Sequence, residues 1–126
     1  MRKLLATTAV LEAGTGLGIV AAPSAVASLM LGSPLDTSAA VAVARIAGVA
    51  LLALGVACWL ARHDDLGPSA RGLVGAMVLY NVGVIAVLVH EAVGRAIGGI
   101  ALWPTVVAHA AMGVWCMTRL AGTQRQ

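Results

Sequence analysis

The residues best equipped for chemistry are four polar side chains set deep in apolar runs: Glu12, Arg45, Asn81 (with Tyr80 beside it) and His109. A charged side chain at the centre of a membrane helix costs about 2.5–3.5 kcal/mol on insertion scales, so such residues are rare and mark a site by default. A carboxyl group at position 12 can take up a proton or hold a cation, with burial and a nearby Arg45 setting its proton affinity. His109 is suited to carry a second proton, because an unperturbed imidazole titrates close to neutrality. Asn81 and Tyr80 add neutral hydrogen-bonding groups. The competing reading is structural. One polar group per helix, bonded to the others, fixes helix register as a buried polar residue specifies coiled-coil pairing. In that arrangement Arg45 is expected to bond Glu12, His109 or Asn81, or else a partner subunit.

Either role needs elements that hold these side chains at depth. Of the 126 residues, 60% are hydrophobic and 10% charged, and the mean hydropathy is +0.96. A soluble domain carries about 45–50% apolar and about 25% charged residues. The composition therefore excludes a soluble enzyme, a disordered chain and a free nucleic-acid binder. It leaves an integral membrane protein whose solvent is the lipid bilayer. A spanning helix needs about 20 mostly apolar residues, and the chain divides into four such runs, at about 4–22, 38–61, 70–92 and 100–120. The runs are continuous rather than alternating, which excludes a β-barrel. The expectation is an all-α membrane protein, a single domain over 1–126 with four transmembrane helices in a compact bundle. Pro23 breaks the first run, so Ser24 to Leu31 is expected as a short interfacial helix or a kinked continuation. Arg2-Lys3, the run from Leu4 to Leu11 and Ala25-Val26-Ala27 imitate a signal peptide, but Glu12 inside the run, and its length, favour a retained first span.

With an even number of spans, Arg2, Lys3, Arg62, Arg71, Arg119 and Arg125 share one side and only Arg95 lies on the other. The positive-inside rule then places both termini in the cytoplasm of a bacterial-type inner (plasma) membrane. The net charge of +3 follows from this flanking pattern and needs no nucleic-acid partner. At 1.5 Å per residue, Glu12 lies roughly 12 Å and Asn81 roughly 16 Å from the cytoplasmic ends of their spans, while His109 lies roughly 13 Å and Arg45 roughly 10 Å from the outer ends.

Other features have ordinary explanations. Trp59, Trp103 and Trp115 fall near span ends, where aromatic residues anchor helices at the interface. Cys58 and Cys116 lie at similar depth in the cytoplasmic half, where free thiols are expected. Helices in lipid pack through small residues. Gly14 and Gly18, at GxxxG spacing, and Gly48 and Gly55, one heptad apart, are the expected packing positions. They point to a tight bundle, with copies of itself or other membrane subunits as partners. No metal set stands out, since His63 beside Asp64 and Asp65 reads as a solvated turn. Haem b or another pigment would need His109 with His90 as axial ligands at matched depth, and His90 sits about one and a half turns shallower. No G-x-S-x-G, P-loop or dinucleotide fingerprint occurs, and the short loops leave no room for a catalytic domain, so no enzymatic activity is expected.

Leu11-Glu12-Ala13-Gly14-Thr15 resembles the first-span site of the small multidrug resistance transporters, four-span chains of similar length. The resemblance covers these five residues. It implies a glutamate shared between protons and a cationic substrate in a dimer. Arg45 has no counterpart in that pattern, aromatic residues around a cation pocket are missing, and the charge asymmetry opposes a dual topology. The expected function is a small polytopic inner-membrane accessory or scaffold subunit that works through helix packing. The alternative is a small proton-coupled transporter using Glu12 with His109 and Asn81. A dry Glu12–Arg45 pair would favour the first reading, and a reachable cavity lined by Glu12, Asn81 and His109 the second.

Overall fold

The computed structural model describes residues 1–64 and 67–123; Asp65 of the solvated turn and Arg125 of the basic flank lie outside the described residues. Among the described residues five helices follow one another: α1 (Arg2–Ala21), α2 (Pro23–Leu31), α3 (Ser38–Ala61), α4 (Pro68–Gly94) and α5 (Leu102–Thr123). Among the described residues there is no strand. Three of the helices, α1, α3 and α4, with 20, 24 and 27 residues, are long and apolar enough to cross a membrane. α5 has the length, at 22 residues, but is not among the three. Its polar content (Thr105, His109, Thr118 and Arg119) dilutes its apolar face. Large aliphatic side chains, among them Val10, Leu17, Val43, Ile46, Leu60, Leu79, Val93 and Ile100, are exposed on the outer faces. Apolar surface on this scale marks contact with a membrane or a partner.

The helix boundaries follow from local chemistry. Pro23 and Pro68 open α2 and α4 at the first position, where the missing N–H costs nothing. Thr37 caps α3, its Oγ1 accepting from the Ala40 N–H at 3.1 Å. Gly32 closes α2 at φ 83°, the left-handed conformation that glycine adopts without a Cβ penalty.

α1 lies antiparallel against α3, because Gly16 faces Gly48 while Ala9 and Ala13 face Gly55. A Cβ on Gly16 would sit 2.5 Å from the Gly48 carbonyl oxygen, and one on Gly55 would sit 2.9 Å from the Ala9 carbonyl oxygen. The backbones meet directly, as small residues permit. Gly48 and Gly55 thus stand in the seam, but Gly14 and Gly18 do not. A Cβ on Gly14 would meet nothing within 4 Å, and one on Gly18 would touch only the Val26 side chain at 3.9 Å. The reason is angular: Ala9, Ala13, Gly16 and Val20 follow one stripe at helical spacing, from which the Gly14–Gly18 pair is turned away.

α4 packs chiefly against α5, where the Asn81 Cβ comes as close as 3.5 Å to the place a Gly113 Cβ would occupy. The beginnings of α1 and α4 and the later parts of α3 and α5 share one buried cluster, comprising Leu4, Leu5, Ala9, Cys58, Ala70, Val74, Met77 and Cys116. At the other end α2 is pinned to the segment before α5. The Gly99 N–H donates to the Met30 carbonyl at 3.0 Å and the Ala101 N–H to that of Leu29 at 2.9 Å. Gly99 lies so close to the Leu29 backbone that no side chain would fit there. A closed floor and a fastened roof therefore bound the space between the helices.

Candidate functional site

That space is a cavity of about 350 Å³, at the lower end of the roughly 300–1,000 Å³ usual for ligand sites. Its wall is largely aliphatic, with the polar groups of Glu12, Thr15, Tyr80, Asn81, Thr105 and His109 set into it. Glu12 is 7% exposed and Asn81 1%, whereas Tyr80 and His109 are half-buried. Three helices deliver the set: α1 carries Glu12, α4 carries Tyr80 and Asn81, and α5 carries His109.

Two hydrogen-bonded pairs connect these helices. Tyr80 Oη donates to Glu12 Oε2 at 3.2 Å, tying α4 to α1. Asn81 Nδ2 donates to the Met77 carbonyl oxygen, one turn back in α4, at 2.7 Å. That bond turns Asn81 Oδ1 toward His109 Nδ1, 2.8 Å away. A carboxamide oxygen only accepts, so Nδ1 carries the proton and donates, and a neutral His109 keeps its Nε2 lone pair for another donor. The Tyr80 and His109 rings meet edge to face, 5.5 Å between centroids at 72°. Because Tyr80 and Asn81 are neighbours in α4, the two pairs form one cluster.

The cluster is richer in acceptors than in free donors. Tyr80 Oη and His109 Nδ1 donate within the protein, and Asn81 Nδ2 spends one of its two N–H groups on the Met77 carbonyl. The Glu12 carboxyl and His109 Nε2 remain to receive a ligand. Among the described lining residues Glu12 is the one acid, and none is Lys or Arg. The arrangement suits a positively charged group that carries N–H donors, or a proton passed between Glu12 and His109.

Arg45 does not join the cluster. It is exposed on α3, and among the described residues no hydrogen bond or ion pair links it to Glu12, Asn81 or His109. Two physical reasons apply. Arg45 is three residues from Gly48, which places it about 60° off the seam with α1. It also lies about 10 Å from the start of α3, close enough for a long aliphatic stem to carry the guanidinium toward a membrane surface.

The histidines needed for a bis-histidine haem are not brought together: His109 lines the cavity, while His90 is exposed near the end of α4. Among the described residues no three His, Cys, Asp or Glu side chains converge as a metal set. Cys58 and Cys116 are free thiols buried in the floor cluster. Sequence reasoning missed the part played by α2, whose Val26 and Met30 line the cavity, with Thr105 Oγ1 placed 3.3 Å from Met30 Sδ. That part carries no signal in one sequence, since it depends on where other helices fall. Among the described residues the buried Thr8 Oγ1, one turn before Glu12, has no hydrogen-bond partner.

No protein-family model, no curated protein and no solved structure matches this chain.

Proposed function

We propose that the chain is a four-span inner-membrane protein, both termini cytoplasmic, that couples proton movement to binding and passage of a small organic cation at Glu12. The observation that carries this reading is the cavity, which gathers Glu12, Tyr80, Asn81 and His109 from three helices and leaves Arg45 outside. A carboxyl that binds either a proton or a cation exchanges one for the other, which is the minimal chemistry of coupled transport. Tyr80 orients the carboxyl, Asn81 fixes the His109 tautomer, and His109 Nε2 is the second proton acceptor. α5 serves as the fourth span despite its lower apolarity, since its polar residues Thr105 and His109 face the cavity rather than lipid.

The test uses proteoliposomes loaded with a pH-sensitive dye and methylguanidinium, a cation that keeps its charge and crosses lipid poorly by itself. Adding it outside should release protons at a rate set by the protein, and Glu12→Gln should bring that rate down to that of empty vesicles while the folded protein stays abundant. Proton release unchanged in Glu12→Gln contradicts the proposal.

A second reading rests on Arg45. An exposed arginine on an apolar helix is accommodated by an acidic or carbonyl group of another subunit, as in an accessory or scaffold subunit or a homo-oligomer. Blue-native electrophoresis of mildly solubilised membranes tests it, and a lone monomer would sink it.

A further inference from the structure

The cavity is open on its side rather than at its ends. The floor is the buried cluster around Leu5, Cys58, Val74 and Cys116. The roof is α2, held to the segment before α5 by the bonds of Leu29 and Met30. Among the described residues four line the cavity and are exposed as well: Leu11 (49%) and Thr15 on α1, Pro104 and Ala108 on α5. A residue that does both stands at a mouth, so the mouth lies between α1 and α5. α1 and α5 make little contact with each other, in contrast to the tight α1–α3 and α4–α5 pairs. A side opening in a membrane-spanning chain faces hydrocarbon.

Resting on the reading of Glu12 as a cation site, we propose that the ligand is a single-chain amphiphile that enters from the lipid between α1 and α5. Its head is a cationic nitrogen bearing N–H donors, an alkylammonium or alkylguanidinium. It bonds the Glu12 carboxyl and the free Nε2 of His109, and its tail stays in the bilayer outside Leu11 and Ala108. The head is fixed by the acceptor set. A quaternary nitrogen would leave His109 Nε2 unbonded, and an anionic head would meet Glu12 with no basic residue to offset it. The tail is fixed by the mouth: the opening faces lipid, where a chain dissolved in the bilayer brings its head to Glu12 at a local concentration that a water-borne cation does not match.

Binding of dodecylguanidinium, methylguanidinium and dodecyltrimethylammonium to the protein in nanodiscs, with empty nanodiscs subtracted, tests the proposal. Dodecylguanidinium should bind about tenfold or more tighter than either of the others, since it alone joins a donor head to a membrane-dissolved tail. Ala108→Trp and Thr15→Trp, both at exposed positions, should each weaken its binding about tenfold by filling the mouth. Val114→Trp, on an exposed part of α5 away from the cavity, should leave binding unchanged. Equal binding of dodecylguanidinium and methylguanidinium, or full binding in both mouth variants, overturns lateral entry. If that binding is nonetheless lost in Glu12→Gln, the cation site stands and only the amphiphile is wrong. Binding indifferent to Glu12→Gln overturns both.

Discussion

The α1–α3 seam and the space between α1, α4 and α5 are built on opposite principles. In the seam, glycines let the backbones touch, with the Leu52, Val20 and Ala13 side chains packed beside them and no room for a single added carbon at Gly16, Gly48 or Gly55. In the cavity the helices stand apart and side chains reach across, with Glu12 held by Tyr80 and Asn81 by His109. The same helix, α1, serves both, presenting Gly16 to α3 and Glu12 to the cavity. The difference teaches that rigidity and reactivity are divided by face. A backbone contact that cannot shift holds α1 while its polar face remains available to a ligand.

The largest effect should come from the seam. Gly48→Leu forces a side chain against the Gly16 carbonyl and the Val20 backbone, and should cost more than the about 1–3 kcal/mol usual for overpacking. Thermal unfolding of the purified protein reads it as loss of the folded state, while Gly14→Leu should stay within about 0.5 kcal/mol of wild type. Equal damage at the two glycines would erase the distinction between seam and open face. Tyr80→Phe comes next. It removes one donor to Glu12 and should cost about 0.5–1.5 kcal/mol, or nearer 0.6 if the bond behaves like others measured in membranes. Denaturation in mild detergent would measure it, and a loss of several kcal/mol would mean the cluster is chiefly structural.

Thr8→Val runs the other way. Among the described residues the buried Thr8 hydroxyl has no partner, so an isosteric apolar side chain should be neutral or raise stability by up to about 1 kcal/mol. A clear destabilisation would show that the hydroxyl is bonded. Smallest of all is Arg45→Gln, expected to change stability by under about 0.5 kcal/mol because Arg45 is exposed and outside the polar cluster. A severe loss in the isolated protein would restore Arg45 to the network.

Much of this was legible in the sequence, for physical reasons that also mark its limits. Long apolar runs report their solvent directly, so the all-helical class and the three apolar helices were readable from composition and length. The run at about 100–120 was read as a fourth span on the same footing, but α5 falls short of the other three in apolarity, because the polar residues that line the cavity dilute it. Glu12, Asn81 and His109 stood out since a polar side chain in an apolar run is expensive wherever it points. Direction was the missing information. Spacing suggested Gly14 and Gly18, whereas the partner helix met Gly16. Arg45 was expected to bond Glu12, His109 or Asn81, or else a partner subunit, and it leaves the seam at an angle that takes it away from the first three. Both are decided by the rotation of one helix against another, which no single helix encodes.

The central claim is that the Glu12 carboxyl is a reachable group in a side-open cavity. Treating membranes with a lipid-soluble carbodiimide, which adds covalently to reachable carboxyl groups, and mapping the product by peptide mass spectrometry tests it most directly. The predicted result is modification at Glu12, absent in Glu12→Gln and suppressed by prior addition of dodecylguanidinium. An unmodified Glu12 in folded protein, beside labelled carboxyls elsewhere in the chain, would contradict the account.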